Sequence, residues 1–254
     1  PKNFNIVRLN EIESRLENIK SYDLRMYNLT KSLYTINFYK EYIETILPNL
    51  VNFAGCQKKV LIMDCDNTLW KGIIGEDGID GIKMSHNSLE GSIFSKVQKM
   101  ITSLVANGAV LCLCSKNNEM DVQDVIDNHP NMQIKDEHIT IKKINWDNKV
   151  SNIIKISEEL NLGLDSFVFV DDSNFEISLI KEELKDVMAI QVPKDISTYV
   201  SLFCKIMSYF PRESLTGEDL NKTKMYKENL ARIKHKNETK SLDNFLKTLE
   251  TKMF

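Results

Sequence analysis

Four short stretches in the middle of the chain are apolar almost without a break: KKVLIMDCD over 58–66, AVLCLCS over 109–115, SFVFVDD over 166–172 and a weaker VMAIQV over 187–192. A run that is apolar on both faces suits a strand buried in a parallel sheet better than an edge hairpin, whose residues alternate. Between these runs lie segments with helical spacing. Ile93, Phe94, Val97, Met100, Ile101 and Leu104 make one stripe; Val150, Ile153, Ile154, Ser157 and Leu160 make another. Strands alternating with helices of this length predict βαβ units, and so an α/β fold with an open parallel sheet of Rossmann type and helices on both faces. The first run is followed instead by WKGIIGEDGIDGI, whose Gly72, Gly75, Gly78 and Gly81 predict a small hairpin-like flap over about 70–83.

The flanks read as helical. Ile12, Leu16 and Ile19 sit at helix spacing, followed by the aromatic-rich LYTINFYKEYIETIL; near the other end Leu242, Phe245, Leu246 and Leu249 mark a last amphipathic helix capped by Ser241. The expected organisation is an N-terminal helical extension over 1–56, a core over 57–212, and a C-terminal helical segment over 213–254 packed on that core. No internal repeat or low-complexity linker interrupts it.

Composition narrows the picture. With 254 residues, 42% hydrophobic and 27% charged, the chain can bury a real core and is neither a disordered tail nor a disulfide miniprotein. A net charge of −3 gives no global positive field to call for nucleic acid or an anionic membrane. Five cysteines (Cys56, Cys65, Cys112, Cys114 and Cys204) are an odd count without a disulfide pattern, which fits a reducing compartment. No window approaches the roughly 18 unbroken apolar residues of a membrane helix, and PKNFNIVRLNEIESRL lacks the apolar run of a signal peptide. The expectation is a cytoplasmic protein; its first residue, Pro rather than Met, suggests a piece cut from something longer.

The chemistry gathers at strand ends, where open α/β sheets place their sites. The runs finish in Asp64-Cys65-Asp66, Ser115-Lys116 and Asp171-Asp172. Carboxylates leaving a buried strand are costly unless something uses them, and clustered carboxylate oxygens suit a hard divalent cation such as Mg²⁺. Asp64 and Asp66 fit a nucleophile and a proton carrier, Ser115 offers a hydroxyl, and Lys149 offers a fixed positive charge. Phosphoryl transfer needs this set.

The order and wording of these pieces resemble the haloacid dehalogenase (HAD) superfamily, whose four motifs would here be DCDNT (64–68), Ser115, Lys149 and Asp171-Asp172, over about 57–195. The resemblance implies that Asp64 is the nucleophile and Asp66 the acid/base. It also implies Mg²⁺ bound by Asp64, Asp171 and the main-chain carbonyl of Asp66, with Asp172 beside them. DCDNTLWKGIIGEDG, CSKNNEMDV, NWDNKVSNI and VFVDDSNFE look like the FkbH-like branch in particular, and ESLTGEDLNKTKMYKENLARIKHKNETKSLDNFL like its helical trailer, so the likeness spans roughly residues 25–250. In that branch a glyceryl unit is taken from 1,3-bisphosphoglycerate, dephosphorylated and loaded onto an acyl carrier protein for polyketide assembly. The matching position for an acylated cysteine is Cys65, with Cys114 as fallback. Asn67, Thr68, Trp70, Lys116 and Asn117 become candidates for holding substrate.

Simpler roles compete. Ser115 could cap a turn, Lys149 could be a surface lysine, and Cys65 could be a small buried hydrophobe. Cys112 and Cys114 read as core, Trp70 as a pocket wall, Trp146 as packing, and His86, His129, His138 and His235 as surface or loop residues. The lysine-rich stretch from Lys222 to Lys236 reads as a solvated helix face or a dock for an acidic carrier. A stand-alone HAD phosphatase with Cys65 inert is the alternative to the transferase. A receiver-type phospho-acceptor module is a third reading, but its acidic pair belongs at the first strand. A non-catalytic scaffold leaves the strand-end acids unexplained.

Overall fold

The computed structural model describes residues 7–16 and 20–210 and four single helical positions, 225, 226, 228 and 232. The predicted last helix, its Ser241 cap and most of the lysine-rich stretch lie outside the described residues. Two compact units are present, one of Pro1–Gln57 with Cys204–Arg212, the other of Lys58–Phe203 with Glu213–Phe254.

The first unit is helical: α1 (Leu9–Arg15), α2 (Leu24–Thr30) and α3 (Ile36–Phe53). Ile12, Leu16 and Phe38 form its buried cluster, and Tyr34 stacks on Phe38 at a 4.0 Å ring separation.

The second unit is built on five strands, β1 (Val60–Met63), β2 (Val110–Ser115), β3 (Ile139–Ile144), β4 (Phe167–Asp171) and β5 (Met188–Gln191). All pair in parallel, in the order β3-β2-β1-β4-β5. The α4 (Ile74–Gly81) and α5 (Leu89–Ala106) helices separate β1 from β2; α6 (Glu119–Asn128), α7 (Lys149–Leu160) and α8 (Asn174–Glu183) make the remaining crossovers, and α9 (Tyr199–Met207) follows β5. The α/β fold class read from the sequence is therefore the one observed. The chain moves outward from β1 to β2 and β3, then returns to β4 and β5 on the other side. The end of β1 is consequently the point where strand order reverses, and open α/β sheets leave a crevice there.

Alternation along the strands divides the core. Val60, Ile62, Val110, Cys112, Cys114, Phe167 and Phe169 share one face, covered by Ile153, Ile156 and Leu160 of α7 and Ile177 and Ile180 of α8. Five of the six positions in the first predicted stripe, all but Met100, are buried on α5. The second stripe shifts: Ile156 is buried on α7, while Ile154 is 38% exposed.

Two elements differ from expectation. The ITIKKI segment forms β3, which the apolar-run criterion passed over. It is an outer strand, and its Lys142 and Lys143 reach ion-pair partners Asp136 and Glu159. The predicted flap is closed at its base by an antiparallel bridge between Lys71 and Lys83, but its tip is the helix α4, not a hairpin turn. Gly78 breaks that helix at φ 67°, a conformation that glycine tolerates without strain. Among the described residues no helix is long and apolar enough to cross a membrane.

Candidate active site

The β1 strand ends at Met63, and the chain bends at once. Asp64 N still donates to Val170 O of β4 at 3.0 Å; Cys65 O then accepts from Thr68 N and Leu69 N. This bend lets three consecutive side chains take different directions, which an extended strand would forbid. Asn67 sits in the left-handed region at φ 51° and closes the loop, its N donating to Gly72 O and its Oδ1 accepting from Gly72 N. Two buried donors from elsewhere hold the same loop: Gln98 Nε2 to Leu69 O at 2.7 Å and Tyr199 Oη to Thr68 O at 3.1 Å.

Asp64 lies in a charged triangle. Lys149, the first residue of α7, is buried and places Nζ 2.7 Å from Asp64 Oδ1 and 2.6 Å from Asp171 Oδ2. The N-cap of that helix is Asn148, which orients the turn that delivers the lysine. Asp171 is fully buried at the end of β4, and its Oδ1 accepts from Ser173 N at 2.8 Å. Burial pushes the Asp64 carboxyl up to about 7, with Asp171 adding to the rise and Lys149 and Ser115 opposing it. Lys149 is raised well above the ordinary lysine range: its two carboxylates outweigh its desolvation. Burial and Asp171 also raise Asp172.

Carboxylate oxygens of Asp64, Asp171 and Asp172 all lie within 4.8 Å of one another. Three hard anionic oxygens at that spacing fit a small divalent cation of the Mg²⁺ class, which takes carboxylates and keeps some water. The carboxylate of Asp66, the residue whose main-chain carbonyl the resemblance assigns to the metal, is not in this group. It faces neutral donors: Oδ1 accepts from Trp70 Nε1 at 2.9 Å and Ile74 N at 3.1 Å, and Oδ2 from Asn117 Nδ2 at 3.0 Å. The Oδ1 atom is thus committed twice, and Oδ2 is the atom with room to carry a proton.

These contacts revise several expectations. Trp70 is completely buried, so it is no wall for a substrate; its N–H holds Asp66. Asn117 is buried and ties Asp66 to Ser115, its Nδ2 also donating to Ser115 Oγ at 3.0 Å. Thr68 is buried, with Oγ1 lacking a hydrogen-bond partner. Lys116 alone of the five substrate candidates keeps an exposed side chain of charge, and it pairs with Glu176 at 2.7 Å. Trp146, expected to pack, is 75% exposed. Cys65 is buried, and desolvation, reinforced by Asp64 and Asp66, pushes its thiol well above the usual range despite a hydrogen bond with Ser115. Cys112 and Cys114 lie in the core as expected, and burial pushes Cys114 up to about 12.

Sequence reasoning passed over Gln98, Tyr199 and Glu176. A glutamine inside the apolar stripe of α5 was a usable signal for a buried tie. A tyrosine before an apolar helix and a glutamate in a first helical turn are too ordinary to stand out.

No protein-family model and no curated protein matches the chain. Among solved structures, it is similar to the N-terminal part of BF1531 from Bacteroides fragilis, which contains a phosphatase domain and was crystallised with Mg. The two are 30% identical with a TM-score of 0.71, over 82% of this chain and 55% of that one. The chain therefore spans about half the length of the structure it matches. A candidate 3-deoxy-D-manno-octulosonate 8-phosphate phosphatase from Vibrio cholerae also aligns, over 72% of this chain and 91% of that one. At 13% identity and a TM-score of 0.39 it carries no argument. The likeness to a structure that contains a phosphatase domain agrees with the phosphoryl-transfer chemistry available to the residues at the strand ends.

Proposed function

We propose that the chain is a Mg²⁺-dependent phosphohydrolase with Asp64 as nucleophile. The observation that carries this is the buried triangle of Asp64, Lys149 and Asp171, with Asp172 and Ser115 beside it, at the crevice end of a parallel sheet. The similar Bacteroides fragilis phosphatase domain, crystallised with Mg, supports it. Asp64, Asp171 and Asp172 would hold the cation, with the main-chain carbonyl of Asp66 named by the resemblance. When bound, the ion offsets charge on the phosphoryl oxygens.

The residues then divide the work. A carboxylate oxygen of Asp64 attacks phosphorus; the bond to the leaving oxygen breaks, and that oxygen takes a proton from Asp66 Oδ2. Water next attacks the aspartyl phosphate, Asp66 recovers a proton from it, and phosphate leaves with the Asp64 carboxylate restored. Lys149 and Ser115 present a cation and a hydroxyl to the equatorial oxygens. The test is phosphate release from acyl phosphates and phosphomonoesters. Turnover that needs Mg²⁺ and vanishes with EDTA supports the reading; no release from any of them with Mg²⁺ present overturns it.

The finer reading is glyceryl transfer. Cys65 sulfur would take the acyl carbon of 1,3-bisphosphoglycerate as the acyl–phosphate bond breaks and the thiol proton is lost, Asp64 would remove the remaining ester phosphate, and an acyl carrier protein thiol would accept the glyceryl unit; a derived lactyl unit would need a separate reduction by another enzyme. The FkbH-like motifs and the place of Cys65 between the two acids support it. The buried, protonated thiol counts against a ready nucleophile, which ranks hydrolysis first. Intact mass decides: a thiol-labile adduct on this chain and then on a holo carrier, lost in Cys65→Ala, establishes transfer. Phosphate with no adduct leaves hydrolysis alone.

A further inference from the structure

Gln98 lies in the middle of α5, inside its apolar stripe, and is completely buried. Its amide meets three separate segments: Nε2 donates to Leu69 O at 2.7 Å and to Met84 Sδ at 3.5 Å, and Oε1 accepts from Gln133 N at 2.8 Å. Leu69 and Met84 stand just outside the bridge between Lys71 and Lys83. One nitrogen therefore holds both the chain entering the flap and the chain leaving it. A backbone N–H can only donate, so Gln133 fixes which end of the amide is oxygen and aims Nε2 at Leu69 O.

Leu69 O belongs to the peptide that precedes Trp70. Trp70 donates Nε1 to Asp66 Oδ1 at 2.9 Å and is also bridged to Asp66 through the backbone. The path from Gln98 to the acid is short: amide, carbonyl, indole, carboxylate. Asp64 is held differently, by its own N on Val170 O of β4 and by Lys149 on its carboxylate. Displacing the Leu69 peptide moves the support of Asp66 and leaves those ties in place. A buried carbonyl needs a donor in any case, so Gln98 also serves stability. Stability asks only for some donor near Leu69 O. It does not ask for an amide locked at its other end by a third segment.

We infer that Gln98 is a positioning residue for the acid/base carboxylate. It sets the Leu69–Trp70 peptide, and through the Trp70 indole the direction of Asp66, without serving the nucleophile. This rests on the phosphohydrolase reading and adds to it a residue that acts on the proton transfer alone.

The test uses the full chain with Mg²⁺ and two esters: glycerol 1-phosphate, whose leaving oxygen needs the proton, and p-nitrophenyl phosphate, whose leaving group does not. Gln98→Met keeps the length and removes the donor. It should lower kcat about fivefold on glycerol 1-phosphate, as one lost hydrogen bond gives, with KM unchanged and a loss below about twofold on p-nitrophenyl phosphate. In a Trp70→Phe background it should change that ratio no further, because its route to Asp66 is already cut. Gln98→Glu supplies a conditional donor: protonated, its hydroxyl reaches Leu69 O; ionised, it has none to offer. Burial raises such a carboxyl, so its glycerol 1-phosphate rate relative to the parent should recover as pH falls from about 8 to about 5.5. The p-nitrophenyl phosphate rate relative to the parent should stay flat. Equal losses on both esters, full additivity with Trp70→Phe, or a pH-independent Gln98→Glu overturns the proposal. Should Gln98→Met fail to fold, Gln98→Glu carries the same test. If the parent hydrolyses nothing, the phosphohydrolase reading fails separately, and proton NMR still decides. The chain has two tryptophans, so two indole N–H signals, told apart by Trp146→Phe. A Trp70 signal that shifts in Gln98→Met and returns in Gln98→Glu at low pH sustains the link to Asp66; an unmoved signal removes it.

Discussion

Asp64 and Asp66 are two residues apart and live in opposite surroundings. Around Asp64 the charged groups dominate: an ammonium at 2.7 Å, a second buried acid sharing that ammonium, and a third acid nearby, with the Ser115 hydroxyl beside them. The hydrogen-bond donors to Asp66 are all neutral: an indole, a backbone amide and a side-chain amide. A charged neighbourhood keeps a buried carboxylate available for attack, and offers a cation a place to sit. A neighbourhood of fixed neutral donors fixes direction instead, leaving one oxygen able to give and take a proton. Paired acids in contrasting environments are how one site runs both chemistries.

Breaking each side should give effects of very different size. Asp64→Asn removes the attacking oxygen and should lower kcat by about 10⁴-fold or more on any phosphate substrate, read as initial phosphate release. Asp66→Asn should cost about 10³-fold with alkyl phosphates, whose leaving oxygen needs a proton. The loss should shrink to about tenfold with p-nitrophenyl phosphate, whose leaving group is a stable anion. Equal losses on both would remove the acid role.

Lys149→Met leaves two buried carboxylates without their cation and should cost about 3 kcal/mol in urea unfolding at pH 8. The cost should be smaller at pH 5.5, where Asp64 can take up a proton. The parent chain carries the same sign. Asp64 has a folded value of about 7, above its unfolded one, so the native state holds the extra proton between about pH 4 and 7. In EDTA the melting temperature should fall as pH rises through that window, and Asp64→Asn should flatten the slope. Asp172, also raised, adds in the same direction. The smallest effect belongs to Trp70→Phe, which removes one donor to Asp66 Oδ1 and should cost about 1 kcal/mol, read as a severalfold loss in kcat on alkyl phosphates.

Four of the five strands were legible because they are apolar on both faces. The β3 strand was not, since an outer strand keeps lysines and so loses the continuous run. The α4 helix was hidden by its own glycines, which read as turns although only Gly78 leaves helical geometry. In the site, the acids, Ser115 and Lys149 were visible because their types and spacing carry chemistry. The roles of Trp70 and Asn117 were not. Holding a carboxylate in place requires a donor at one point in space, and many residue types in many positions supply one. The bend at Cys65 was equally invisible, because it depends on Asn67 accepting a left-handed conformation.

The two tryptophans differ in a way that makes the molecule its own optical instrument. Trp70 is sealed inside with its indole nitrogen on Asp66, whereas Trp146 stands in solvent three residues before Lys149. Acrylamide should quench the second and spare the first. The unquenched emission then reports on the acid–base carboxylate without any label, and the quenchable emission on whatever approaches the loop before α7.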